Sequence, residues 1–510
     1  MDTLKAHYDT LLEKAKALVI LQSAESLIHW DMETKMPPKG ITLRSEQLAL
    51  LRGIEHTMIT DPQIGVLLNK IDAHPDAAAL DAASRRNIYL IKKQYDEQTQ
   101  LPEHLVTATA KQQALTINTW KKAKAAKDFA LFQPELQKLV DLRMRAAEIL
   151  MEVKGTATPY DALIDIYEPK TTADTITRIF NELKQGLRVL IAKCQTARRQ
   201  PDPALLHRRV PLEAQRRIAQ ALTDYIEYDV VSDRAGGRID ETEHPFTTGY
   251  YDDVRITTHY YEDHFTSSLF SVLHEGGHAL YAQNLKPDWM YQPIGDSCSL
   301  GVHESQSRFV ENIIGRSHEF WSYFLPKLKA LTGDRFADVD LNAFVFAINQ
   351  VKPSKIRVEA DEVTYCLHII IRFEIEQDLM RGKITVADLP EVWNQKYMDY
   401  LGLEIEDDAE GVMQDTHWAG GAIGYFPTYA LGNIYSGQLL VPLERDLPDW
   451  KRQVADGSFH NVKQWLVEHV HSAGNRYDPS DLIKQITGNE INIAPYLTYL
   501  TKKYATLYDF

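Results

Sequence analysis

The 510-residue chain holds only three cysteines, Cys194, Cys298 and Cys366, far apart in sequence. So sparse and odd a set makes neither a disulfide framework nor a C-x-x-C pair, and it suits idle thiols in a reducing compartment. No run of about 18 apolar residues occurs, so no stretch reads as a membrane-spanning helix. The opening MDTLKAHYDTLLEKAKALVI is charged throughout and has no signal-peptide core. A cytoplasmic protein is expected. Positive charge is in deficit: 56 Lys and Arg stand against 71 Asp and Glu, a formal net charge of −15. That balance argues against nucleic acid or an anionic membrane as the main partner. Internal repeats, low-complexity segments and a linker that would divide the chain are also missing. Hydrophobic residues make up 44% and charged residues 25%, as in ordinary globular chains. One large domain over 1–510 is expected.

Helical texture dominates what is present. In ELQKLVDLRMRAAEIL, Leu136, Leu139, Val140, Met144 and Ala147 recur at three- and four-residue spacing, which predicts one buried helix face. An earlier helix must end at MPPKG, where Pro37, Pro38 and Gly40 cannot continue it. One region differs. HPFTTGYYDDVRITTHYYEDHF, from His244, is rich in Thr, Tyr, Val and Ile, and it predicts a small sheet. Helices then resume to the C-terminus, with breaks near Gly420–Gly421 and at Pro427. The fold class expected is mostly α, a large helical domain with a substrate cleft, room for two lobes around it, and a small sheet beside the central helix.

That helix carries the chemistry. SVLHEGGHAL contains His274-Glu275-Gly276-Gly277-His278, an H-E-x-x-H pattern, within a helix expected over about 266–285 and capped by Thr266, Ser267 or Ser268. On a helix His274 and His278 project one turn apart on the same face, and two imidazoles so placed can bind one Zn²⁺. Glu275 is offset by one residue and can reach a water without being a ligand. The two glycines oppose the pattern, each costing about 1 kcal/mol against alanine in a helix. They also let another element approach closely.

A catalytic zinc usually takes three protein ligands, so a third donor is needed. SLGVHESQSRFVENIIG reads as a second helix ending near Gly315. Its Glu304 is the expected third ligand. Glu311, two turns on, competes for that role but reads better as the ion-pair partner of Arg308. His303 reads as a supporting or structural residue. Imidazole and carboxylate donors suit Zn²⁺, with Co²⁺ or Mn²⁺ as alternatives.

HEGGH with HESQ downstream resembles the M32 metallocarboxypeptidases, the carboxypeptidase Taq type. HPF at 244–246, DVRIT at 253–257, IRVEAD at 356–361 and GVMQDTHW at 411–418 fit the same family, and HWDMETKMPPKG and PYDALIDIYEP also read as its signatures. The resemblance spans most of the chain. It implies a helix-rich, cleft-containing fold related to neurolysin and angiotensin-converting enzyme. It implies metal-dependent release of C-terminal residues with broad side-chain tolerance, and usually a homodimer. Two positions depart from pattern. Gly276 stands where the family commonly has Ala. Arg308 stands where other zinc peptidases of this class often place the carboxylate that orients a metal histidine, so that carboxylate stays unassigned.

The resemblance also implies roles. Glu275 is the general base. His417, Tyr425 and Tyr429 follow in GVMQDTHWAGGAIGYFPTY, with Tyr425 favoured as oxyanion donor and His417 as auxiliary or substrate-binding donor. Arg357 is favoured for the substrate's terminal carboxylate, since a guanidinium binds one with two parallel hydrogen bonds. On spacing alone Arg357 would instead pair with Asp361 on a helix surface. Arg255, held by Asp253, is expected to shape or close the cleft, and His244 to line the same end. VRITTHYY is expected to be the sheet edge that receives an extended peptide. A peptidyl-dipeptidase or oligoendopeptidase on the same architecture is the alternative.

Overall fold

Residues 2–154 form six α-helices, joined by short connections. In the computed structural model, which describes residues 2–510, α1 (Asp2–Thr34) stops just before the two prolines. It is followed by α2 (Ile41–Ile59), α3 (Pro62–Asp72), α4 (Ala82–Gln100), α5 (Glu103–Ala126) and α6 (Phe129–Lys154). Asp61, Asp81 and Asp128 cap α3, α4 and α6 by accepting from first-turn amides. The α6 stripe buries Leu136, Leu139, Val140 and Ala147. Next come α7 (Pro159–Tyr167), α8 (Ala173–Thr196) and α9 (Leu212–Tyr225).

The Thr- and Tyr-rich region forms a three-stranded sheet: β1 (Gly237–Glu241), β2 (Thr247–Tyr250) and β3 (Asp253–Thr258), in the order β1-β3-β2. β3 runs parallel to β1, with Gly237 opposite Val254, and antiparallel to β2, with Thr247 opposite Ile256. This corrects the expectation that VRITTHYY is the receiving edge. β3 is central, its ladder groups are taken on both sides, and β2 is the edge that lies against the next helix.

That helix is α10 (Phe265–Gln283), which packs on β2, β3 and α9. Its N-cap is His264 without a side-chain cap. The expected cap Ser268 instead donates to Gln215 Oε1 and the Phe265 carbonyl. α11 (Leu300–Arg308) passes directly into a π-helical turn, Phe309–Ile314. Then follow α12 (His318–Thr332), α13 (Leu341–Ile348), α14 (Tyr365–Met380) and α15 (Leu389–Leu401). An irregular stretch leads to α16 (Pro427–Asp446), α17 (Trp450–Ala455), α18 (His460–His469), α19 (Pro479–Thr487) and α20 (Ala494–Tyr508). Pro427 opens α16 rather than breaking a helix, since its missing N–H is free to be missing at that position. α14 and α16 are buried on nearly every face, as apolar central helices are.

One large core runs from α5 to α20, and a small separate one joins α1, α3 and α4. A cavity of about 460 Å³ lies where this N-terminal layer meets the sheet edge, lined by Leu18, Gln22, Lys93, Glu97, Gly249 and Tyr250 among others. Its lining includes none of the expected metal-binding, catalytic or substrate-binding residues.

Candidate active site

α10 and α11 lie so close that their backbones touch. A Cβ on Gly277 would stand 2.6 Å from the Gln306 carbonyl oxygen and 2.7 Å from the Ser307 Cα. Gly277 is therefore required by the approach of α11, whatever its cost in helix propensity. Gly276 faces the Ile226 side chain on the opposite side.

This contact brings His274, His278 and Glu304 together, with one donor atom of each within 4.8 Å of the others. Glu304 Oε2 lies 3.3 Å from His278 Nε2 and 3.7 Å from His274 Nε2. Ligands about 2.0–2.1 Å from a tetrahedral zinc stand roughly 3.3 Å apart, so the three donors fit such an ion. The other ring nitrogens are occupied. His274 Nδ1 donates to Glu311 Oε2 at 2.9 Å, leaving Nε2 as the lone pair. His278 Nδ1 meets His303 Nδ1 at 2.5 Å. Burial holds His303 well below the usual imidazole pKa, with His278 adding to that effect, so His303 stays neutral and can accept.

The carboxylate left unassigned in the sequence is thus Glu311. It does pair with Arg308, as expected, at 3.2 Å, but it also orients His274. Burial alone would raise its pKa; Arg308 and His274 bring it down to about 2. Arg308 holds the second oxygen of Glu304 at 2.6 Å, which leaves Oε2 for the histidines. Burial opposes charge on Glu304 too, and Arg308 with the histidines holds its carboxyl far below the usual range. Glu275 sits beside this group, and its Oε2 accepts from Thr247 Oγ1 at 2.6 Å. Thr247 directly follows HPF in the sequence, yet its link to Glu275 becomes visible only once β2 pairs with β3.

A second cluster gathers Arg357, His417, Tyr425 and Tyr429. The Arg357 segment is a single 3₁₀ turn, not a helix, so the Arg357–Asp361 pair does not form. Asp361 instead accepts from the Val363, Thr364 and Lys352 amides. Arg357 is buried and donates to Asp415 Oδ1 from Nε at 3.0 Å and Nη2 at 2.8 Å. Arg372, fully buried, takes Asp415 Oδ2 at 2.6 Å. Two guanidiniums share one carboxylate, so one positive charge is left over. His417 Nε2 bonds the Tyr429 hydroxyl at 3.1 Å, while its buried Nδ1 makes no hydrogen bond among the described residues and lies 4.0 Å from Asp415 Oδ1. Burial lowers the His417 pKa to about 4, leaving it neutral near pH 7. Burial also raises Tyr425 to about 12, which keeps its hydroxyl a donor.

Tyr365 joins the two clusters: the Arg308 guanidinium lies 4.2 Å from its ring centre, and its hydroxyl accepts from Arg357 Nη1 at 3.2 Å. The remaining two candidates lie elsewhere. Arg255 pairs with Asp253 as expected and stacks on Trp30 of α1, tying sheet to N-terminal layer. His244 is exposed in the β1–β2 connection, and Thr247 is the side chain from this segment that reaches Glu275.

The model of the carboxypeptidase Taq (M32) metallopeptidase family matches residues 10–504. The chain belongs to the M32 metallocarboxypeptidases. Thermostable carboxypeptidase 1 of Thermus thermophilus is 41% identical over 513 residues, covering 99% of this chain and all of that one. Carboxypeptidase 1 of Bacillus subtilis is 40% identical, covering 95% of each chain. The crystal structure of an M32 carboxypeptidase from Deinococcus radiodurans superposes with a TM-score of 0.94 at 34% identity, over 99% of this chain and all of the other. This M32 chain is accordingly a metal-dependent carboxypeptidase, a peptide hydrolase, and its helical fold is the family's. No helix among the described residues is long and apolar enough to cross a membrane.

Proposed function

We propose that the enzyme removes single residues from the C-termini of peptides with broad side-chain tolerance, using His274, His278 and Glu304 to hold one Zn²⁺. Co²⁺ or Mn²⁺ suits the same donors. The observation that carries this reading is the convergence of three donor atoms within 4.8 Å beside Glu275. The ion, when bound, supplies Lewis acidity that polarises a carbonyl and acidifies a water towards a pKa of about 7. Glu275, aimed by Thr247, accepts the proton of the attacking water and passes it to the departing amine. The Tyr425 hydroxyl donates to the oxyanion, with His417 and Tyr429 as its neighbours in the pocket. Arg357 receives the substrate's terminal carboxylate; the surplus charge of Arg357 and Arg372 over Asp415 supports this. The peptide lies along the β2 edge, its upstream residues passing Gly249 and Tyr250 into the cavity. Arg255, held by Asp253 and stacked on Trp30, braces the sheet against α1, and His244 lies exposed in the β1–β2 connection.

Residues 1–510 act as one catalytic unit. The three buried free cysteines suit a reducing, cytoplasmic setting. The exposed Ile20 and Leu27 of α1 and Leu43, Leu50 and Ile54 of α2 offer apolar surface for a homodimer. The test is Glu275→Gln. It should bind Zn²⁺ as the wild type does and lose nearly all hydrolysis; normal turnover by that variant would remove Glu275 as the base.

A further inference from the structure

The segment PYDALIDIYEP, which forms α7 and the two residues after it, supplies none of the proposed metal ligands or catalytic groups, yet it touches the supports of both clusters. On one side, Glu168 Oε2 accepts from the Gly301 amide at 3.0 Å, and its Oε1 accepts from the Tyr435 hydroxyl at 2.8 Å. Gly301 lies in the first turn of α11, three residues before Glu304, and Tyr435 lies on α16, which packs along α11. Glu168 therefore fixes the start of the helix that presents Glu304.

On the other side, α7 supports the loop that carries His417 and Tyr425. Glu376, fully buried on α14, accepts from Tyr160 of α7, from Trp418 Nε1 and from the Gly424 amide, each at 2.8 Å. Gly424 has φ +88°, and a Cβ there would stand 2.9 Å from the Ile164 amide nitrogen, so this loop rests on the α7 backbone itself. The Tyr167 ring meets the Tyr425 ring edge-on, with centres 5.1 Å apart at 73°. The helix between these contacts is clamped. Asp161 accepts from the Ala173 amide at 2.7 Å, and Asp165 pairs with Lys93 and Lys154 at 2.9 Å each.

We propose that α7 is a spacer setting the distance between the metal-binding helix and the oxyanion loop, with Glu168 positioning Glu304 through Gly301, and Tyr167 positioning Tyr425 through ring contact. This rests on the reading of Glu304 as ligand and Tyr425 as donor. Tyr167 has no role in the chemistry itself; its ring is what matters.

The test compares Tyr167→Leu, Tyr167→Phe, Tyr425→Phe and the double variant Tyr167→Leu/Tyr425→Phe, each checked for folding by thermal unfolding. Tyr167→Leu should lower kcat roughly tenfold or more, with KM and Zn²⁺ affinity within about twofold. Tyr167→Phe should restore kcat, and Tyr167→Leu should cost nothing further once Tyr425 is Phe. Should Tyr167→Leu not fold, Tyr167→Met serves the same comparison. An equal loss from Tyr167→Leu in both backgrounds overturns the positioning role. Full kcat in Tyr167→Leu beside a slow Tyr425→Phe overturns that role alone, whereas full kcat in Tyr425→Phe overturns the donor reading and the role of Tyr167 with it. For Glu168, competition with a chelator for Zn²⁺ should show about tenfold weaker binding in Glu168→Ala and near-normal binding in Glu168→Gln. Wild-type binding by Glu168→Ala overturns its part.

Discussion

Helix propensity and tertiary contact give opposite answers at the paired glycines of the metal helix. By propensity, either Gly276→Ala or Gly277→Ala should stabilise α10 by about 1 kcal/mol. At 277 the new methyl would lie 2.6–2.7 Å from backbone atoms of Gln306 and Ser307, where a carbon contact wants roughly 3.5 Å or more. Backbone cannot rotate aside, so α10 and α11 must part by about 1 Å. Overpacking of this kind costs about 1–3 kcal/mol, which cancels or outweighs the propensity gain and leaves a net loss of up to about 2 kcal/mol. The displaced helix carries the proposed ligand Glu304, and a shift of that size exceeds the tolerance of a metal–ligand bond. Zn²⁺ affinity should fall by on the order of 10–100-fold. At 276 the obstacle is the tip of Ile226, a flexible side chain that can turn at a cost of about 0.5–1.5 kcal/mol. Gly276→Ala should therefore stay within about 1 kcal/mol of the wild type and bind metal as the wild type does. Denaturant unfolding of the apo-protein and chelator competition measure the two quantities. A Gly277→Ala variant as stable as the wild type, with affinity within twofold, would refute the reasoning.

Two further outcomes follow from the site's electrostatics. Glu311→Ala removes the acceptor that orients His274 and should weaken Zn²⁺ binding by roughly 10–100-fold, while Glu311→Gln, which keeps an acceptor oxygen, should lose less; calorimetric titration reads both. Burial outweighs the donors around Glu168 and raises its pKa to about 7. The unfolded chain gives up that proton near 4.5, so between about 4.5 and 7 the unfolded state binds fewer protons and stability falls as pH rises. Glu168→Gln abolishes this contribution. Its stability relative to the wild type should improve from pH 5 to pH 7, by at most on the order of 1 kcal/mol per pH unit, and parallel wild-type and variant curves in urea would contradict this.

The parts of the site that a single helix defines could be read from spacing: His274, Glu275 and His278 follow from i,i+4 geometry, and Glu304 from the next amphipathic run. What could not be read depends on partners distant in sequence. Arg357 pairs with Asp415, 58 residues on, rather than with Asp361. The turn chemistry of Asp361, which accepts local amides, is what unmakes the expected helix. Which strand forms the sheet edge was equally hidden, since alternation marks a strand but not its neighbours; only the crossover that returns β3 between β1 and β2 decides it. Glu311 was in view but given one partner where it has several. A carboxylate next to an arginine reads as an ion pair from sequence, and its reach to His274 needs the packing of α10 on the π-helical turn. Glu168 lies in a stretch that reads as a family signature but shows no role there, and Glu376 lies in an unremarked one; their bonds to Tyr435 and Trp418 span 267 and 42 residues.

The most direct test of the central claim is mass spectrometry of paired peptides incubated with the zinc-loaded enzyme, one with a free C-terminus and one amidated. Recognition of the terminal carboxylate by Arg357 predicts stepwise loss of single residues from the free peptide and an intact amidated one. Internal cleavage, release of dipeptides, or equal shortening of both peptides would contradict it.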